Sequence, residues 1–366
     1  MLNFSSMAHL WRAPHCLACP LTALGMLLAT AGAAQAQPAT FGPMATSPVG
    51  SANYFVATGD LNNDGVLDLV STSSYNVNVL LGQAAGGFAA AVPYLVGSNN
   101  QEVALADVNR DGKLDVVLTS GPSVRVLLGT GSGTLGTASA YPNGAYANGV
   151  SADGFGLKLY DVTRDGVLDA VTTTVNTQVG VLPGTAAGTF GAASTYEAGS
   201  HQRGLSVADF NHDGFADLAI SETDQNNVYV LLGQASGFAK PVSYPVGQVS
   251  FFVETADLNR DGQLDIIVSG SSATGVKVLT GNANGTFNAA VAYQATATST
   301  FLSGLTVGDV NGDGYPDVLV SAFNQNKVYV LPGSSTGALG TAVALSVGGG
   351  LTTSPWPTST ATVAPT

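Results

Sequence analysis

Six times the chain repeats Asp-x-Asn-x-Asp-Gly-x-x-Asp, a run that sets an oxygen-bearing group at every second position around a turn. Carboxylates and amide oxygens crowded onto one short loop are what a hard cation of calcium size requires. In the first copy the side chains of Asp60, Asn62, Asp64 and Asp68 are the expected donors, with the backbone carbonyl of Val66 between them. The second copy offers Asp107, Asn109, Asp111, the Lys113 carbonyl and Asp115. The third offers Asp161, Thr163, Asp165, the Val167 carbonyl and Asp169. Asp209, Asn211, Asp213, the Phe215 carbonyl and Asp217 follow, then Asp257, Asn259, Asp261, the Gln263 carbonyl and Asp265. The last set is Asp309, Asn311, Asp313, the Tyr315 carbonyl and Asp317. Glycine holds position 6 in every copy (Gly65, Gly112, Gly166, Gly214, Gly262, Gly314), where a sharp turn needs positive φ. Thr163 is the one departure at position 3, and a weaker third site is expected there.

Such a loop suits Ca²⁺ better than Mg²⁺, which demands strict octahedral geometry and keeps its waters. It is not an EF-hand, whose loop closes with Glu at position 12. Ser71, Leu118, Thr172, Ile220, Val268 and Val320 stand there instead. About six structural calcium ions are expected.

The elements that must position these loops are short and β-rich. The first aspartates are spaced 47, 54, 48, 48 and 52 residues apart, a period that signals a repeat architecture. Each repeat reads as an apolar strand before the loop, a β-branched run after it, a third run, and a weaker fourth. No segment carries a long helical period. Four antiparallel strands per repeat, six times over, predict an all-β fold: a β-propeller of four-stranded blades with the calcium loop between strands 1 and 2. Six blades are favoured; a seventh would need strands the sequence does not show. Phe88, Leu135, Phe190, Phe238, Phe287 and Leu339 are read as opening the fourth strands, and a similar run at 41–50 as closing the ring. Alternation along the first strands sends Lys158 and Glu254 toward the central channel.

Residues 1–36 read as a secretory signal peptide with a small-x-small site ending at Ala36, and 349–366 as a disordered Thr/Pro-rich tail. The propeller would span 37–348. Secretion to the cell exterior or surface is therefore expected, with no stable membrane insertion, since no other stretch reaches roughly 18 apolar residues. Both cysteines, Cys16 and Cys19, fall in the signal, so core packing and metal must hold the mature chain without disulfides. Without Arg12 the mature chain has 10 basic and 24 acidic residues, a net charge of −14. Eighteen of those acids lie in the six loops, so the acidity is a metal-site signature and argues against nucleic acid.

The repeats resemble the FG-GAP, or VCBS, family of integrin-α-like propellers over about residues 41–348. The loops and Phe-led Gly-rich turns such as Gly188-Thr-Phe190-Gly191 carry the resemblance. It implies calcium on the lower face in a structural role, and ligands on the upper face. Three functions stay open. The leading one is a monomeric extracellular recognition or adhesion module for a protein or glycan, through Tyr54, Tyr146, Phe155, Phe251, Phe252 and Phe301 at the upper mouth. The second is a lectin or carbohydrate-active enzyme; Glu102, Asp153, Lys158, His201 and Arg203 are its only candidate polar groups, and no nucleophile elbow or cysteine supports catalysis. The third is a purely structural surface module.

Overall fold

The computed structural model describes residues 47–49, 53–144, 154–174 and 176–347. It is built of six four-stranded antiparallel sheets arranged as the blades of a propeller, with a small two-stranded hairpin between the third and fourth strands of blade 4. Blade 1 runs through Asn53–Gly59, Asp68–Ser73, Asn76–Leu80 and Val92–Leu95. The innermost strands of blades 2 to 6 are Asn100–Ala106, Gly154–Tyr160, Gln202–Ala208, Val249–Ala256 and Leu302–Gly308. Among the described residues a 3₁₀ turn, Phe323–Gln325, is the one helical element. No described helix is long and apolar enough to cross a membrane.

Burial explains the composition of each strand. Second strands such as Asp115–Ser120 and Asp217–Glu222 are buried along their whole length, so both faces are apolar or carry small hydroxyls. The outermost strands are mostly exposed, and Pro93, Pro142 and Pro245 in three of them remove an edge donor that could pair with another chain. They are only four residues long and begin at Val92, Ser139, Ser194, Val242, Val291 and Val343. The sequence reading had opened them about four residues early. Phe88, Leu135, Phe190 and Phe287 instead make isolated bridges to Gly82, Gly129, Gly184 and Gly281.

Those residues join blades. Phe190 meets Tyr141 of the preceding blade edge-on at 5.7 Å, and Phe287 meets Tyr244 at 5.6 Å. Five apolar clusters fill the five junctions from blade 1/2 to blade 5/6. The remaining junction differs. Among the described residues the cluster there, Leu319, Val328 and Val330, is drawn from blade 6 alone. On the blade 1 side Phe88 is 37% exposed, whereas Phe190 and Phe287 are each 7% exposed. Blade 6 supplies all four of its own strands. The strand expected at 41–50 lies outside the described residues apart from 47–49, which are not strand. The signal segment and the tail, with Trp356, also lie outside them.

Candidate functional site

Each oxygen-rich loop joins the first strand of a blade to the second, and position 9 is the first residue of that second strand. Position 9 is a structural pin as well as a candidate ligand. Asp217 is fully buried; its Oδ2 accepts the Phe210 N–H at 2.7 Å, and its Oδ1 accepts the Gly233 N–H at 2.6 Å from the end of the third strand. Asp68, Asp115, Asp265 and Asp317 repeat both bonds. Asp169 differs by taking the N–H of Thr163 in place of its neighbour's.

Positions 1 and 5 hold the turn. Asp107 accepts the N–H groups of Asp111 and Gly112 at 3.0 and 2.8 Å, and Asp111 accepts that of Lys113 at 3.0 Å. Position 3 asparagine accepts the position 5 N–H in five loops. Among the described residues no three acidic or imidazole side chains gather into a ready cage; loop amides hold the carboxylates. The donor set nonetheless fits a hard cation. It is all oxygen, and a carboxylate oxygen that accepts one amide keeps a second lone pair. Burial raises Asp217 to about 6 despite its two amide bonds, and repulsion from Asp213 and Asp209 adds to the rise. Asp115, Asp265 and Asp317 are raised for the same reasons. Three mutually repelling carboxylates are the electrostatic setting that a divalent cation relieves.

Position 4 links neighbouring loops. It takes left-handed φ of 57–61° in five copies. Arg164 lies over the Phe215 ring at 4.7 Å, Arg260 over Tyr315 at 4.9 Å, and His212 Nε2 meets the Gly262 carbonyl at 2.9 Å. A basic residue at position 4, followed one repeat later by an aromatic at position 7, was the available signal.

The opposite ends of the same first strands form the second site. Every first strand carries an irregularity near its start, where pairing with the second strand skips. The skipped stretches hold Tyr54, Glu102, Phe155, Arg203, Phe251 and Ser303. Bulges re-aim side chains, and in blades 3, 4 and 5 the skipped residues Phe155, Arg203 and Phe251 come together. Arg203 stacks on Phe155 at 3.8 Å and faces Phe251 at 5.3 Å; Phe251 meets Phe301 edge-on at 5.2 Å. Burial lowers Arg203 to about 10, which leaves it charged at neutral pH. Phe252 turns the other way, into the core between blades 5 and 6. Tyr146 and Asp153 lie outside the described residues.

Inside the channel Lys158 bridges two carboxylates, Glu102 at 3.3 Å and Glu254 at 3.6 Å, and so ties blades 2, 3 and 5. Desolvation pulls its ammonium down, but the two glutamates outweigh that and hold it above its ordinary value. The expected inward aim of Lys158 and Glu254 is met, in a bridged cluster and not as freely solvated charges. His201 pairs with Asp224 (Nδ1 to Oδ2, 2.6 Å), and Ser200 also donates to that oxygen at 2.9 Å. The hydroxyl is therefore on the acid and not on the imidazole, so this is not a Ser-His-Asp relay.

A family model described as FG-GAP-like repeat matches five overlapping spans, 60–118, 107–172, 161–220, 209–268 and 257–320. No curated protein matches the chain. Among solved structures, an Agrocybe aegerita lectin that recognises non-reducing terminal N-acetylglucosamine is similar at TM-score 0.59 and 23% identity, covering 81% of each chain. A candidate 6-phosphogluconolactonase from Bacteroides uniformis is similar at 0.60 and 15%, covering 83% of this chain and 88% of its own. One from Bacteroides fragilis is similar at 0.59 and 17%, covering 80% and 83%. At these identities the likeness is one of fold.

Proposed function

The chain belongs to the FG-GAP-like repeat family, and from that premise we propose that it is a secreted, calcium-stabilised recognition module. Its ligand face is the channel mouth. One observation carries the reading: each first strand ends in an oxygen-rich loop and begins in a pairing skip, and in blades 3, 4 and 5 the skipped residues Phe155, Arg203 and Phe251 stack together. One end is suited to a cation and the other to a partner. In the loops, positions 1, 3, 5 and 9 and the position 7 carbonyl would hold Ca²⁺. The ion would offset carboxylate repulsion and stiffen the join between strands 1 and 2.

At the mouth, Arg203 clasped by Phe155 and Phe251 offers a desolvated cation inside an aromatic frame. Aromatic and arginine anchors in partly buried settings dominate recognition energy. The ligand is an extracellular protein or a glycan. The similar lectin and the two lactonase-like propellers carry opposite implications, binding and catalysis, so the fold does not choose. What supports binding is the stack of Arg203 on Phe155 and Phe251; among the described residues no nucleophile–base pair stands beside it.

The test is a glycan array and a cell-binding assay on the mature protein with calcium, with Phe251→Ala and Arg203→Ala beside it. Each variant is expected to lose at least about tenfold in affinity, near 1.4 kcal/mol, with calcium content unchanged. Binding that survives both changes would place the ligand elsewhere.

A further inference from the structure

One junction breaks the rule that covers the loops. In five blades, the Phe or Leu of the next turn lies six positions after the glycine that follows the third strand, as in Gly184 to Phe190 and Gly281 to Phe287. In blade 4 the interval is five, Gly233 to Phe238. In three of the longer turns a positive-φ glycine reaches back over the preceding blade's loop, and Thr163 is the one position 3 residue that is exposed. Built Cβ atoms on Gly188, Gly285 and Gly337 would come within 2.9, 3.1 and 2.7 Å of the Cβ atoms of Asn109, Asn211 and Asn259, all at position 3. Only glycine fits that close, so the contact shuts the loop's flank. The shorter blade 4 turn folds instead into a small hairpin, Gly233–Gln234 with Gly237–Phe238, and Gly237 rests on the Tyr196 ring. The position 3 residue it leaves uncovered is Thr163, the one threonine in the series. Two departures from the repeat, in different blades, meet at one place.

They open a cavity of about 260 Å³ between blades 3 and 4, lined by Thr163, Arg164, Tyr196, Phe215, Gln234 and Phe238 among others. Tyr196 and Phe238 meet edge-on at 4.9 Å and form an angled apolar wall. Arg164, exposed and laid over Phe215, presents a planar fork of donors beside it. Gln234, Thr163 and Ser194 add amide and hydroxyl groups to the lining. The volume falls just below the roughly 300–1,000 Å³ of sites for drug-sized ligands, so it suits one ring. An entirely apolar ligand would leave Arg164 and Gln234 stripped of water without a partner. A small inorganic anion would waste the aromatic wall and sit near the carboxylates of Asp161 and Asp165. A ligand with a C–H face and a hydroxylated edge satisfies both halves.

We infer that this pocket is a second ligand site, separate from the mouth and beside the third metal loop, that takes a single pyranose residue of a glycan. Its sugar is either neutral or carries a carboxylate that Arg164 pairs with.

The test is titration of the calcium-loaded full chain with methyl β-glucopyranoside, N-acetylglucosamine and glucuronic acid, read by saturation-transfer NMR. The expected result is binding of at least one of the three with Kd near 1 mM. Preference for glucuronate over the neutral sugars would assign the carboxylate arm, and the reverse the neutral one. Two variants test the place. A glycine inserted between Ser236 and Gly237 restores the longer turn and should close the pocket; Arg164→Ala removes an exposed donor without disturbing the core. Each should weaken binding at least about tenfold, while Leu95→Ala, exposed on the outermost strand of blade 1 and outside both sites, leaves it unchanged. No binding by any of the three sugars overturns the proposal. So does binding that Arg164→Ala leaves intact, or that is lost only in Phe251→Ala, which would return the sugar to the mouth.

Discussion

A position 9 aspartate and a position 5 aspartate look alike in the sequence and differ in the structure. Asp217 holds two buried amides, from Phe210 and Gly233, whereas the exposed Asp213 holds a turn amide that water can reach. Asp217→Ala should therefore destabilise the chain even in chelator, by about 1–3 kcal/mol for each stranded amide. Asp213→Ala should match the wild type in chelator and fall below it only when calcium is present. Urea unfolding in the two buffers separates the roles; equal losses in chelator would deny the pin. Thr163 lacks the bond by which asparagine at position 3 holds the position 5 N–H. Thr163→Asn is expected to tighten the third site severalfold, seen as a shift in the weakest step of a calcium titration. The six loops were legible because one pattern recurs six times. The double duty of position 9 was not, because its second partner, such as Gly233, lies 16 residues away.

At the level of strands, the period in the sequence marks the six blades, and the alternation in the first strands gives their inward faces. What it could not give is the bulge. A skip in pairing appears only once two strands are laid together, so Arg203 read as one polar loop residue among several. The structure stacks it between Phe155 and Phe251. Likewise the Lys158 bridge joins blades that are far apart in sequence, Glu102 in blade 2 and Glu254 in blade 5. Because Lys158 is held above its ordinary value of 10.5, its contribution is complete below that pH and is lost as pH climbs through the folded value. The wild type should lose stability in the alkaline range above about 10.5, and Lys158→Met should lack that loss. Lys158 is a quarter exposed to the channel, so the cost of the substitution at neutral pH should be about 1–3 kcal/mol, below that of a fully buried pair. The burial that already raises Glu254 then acts with no neighbouring cation, so the variant should regain stability on acidification. Thermal melts across pH would show both slopes; a flat profile for both proteins would mean that the bridge contributes nothing.

For the molecule as a whole, calcium is expected to act as the missing disulfides would. A cation that binds only the folded chain adds about 2.7 kcal/mol per site at a hundredfold excess over Kd. Chelation should lower the melting temperature sharply, and elemental analysis should find about six ions per chain. That leaves the junction of blades 6 and 1, where no described apolar cluster spans both blades and Phe88 stands partly in solvent. Among the described residues five joints share an apolar cluster and the sixth does not, and a ring with one weaker joint would behave as a split collar. Such a collar can flex in circumference at small cost, and it parts first at the split. Amide exchange should then be fastest along Asn53–Gly59 and Leu302–Gly308, with blades 3 and 4 the last to exchange. The spacing of Phe155, Arg203, Phe251 and Phe301 would widen and narrow with that flexing. The gauge of what they grip would then be set on the far side of the ring from Arg203.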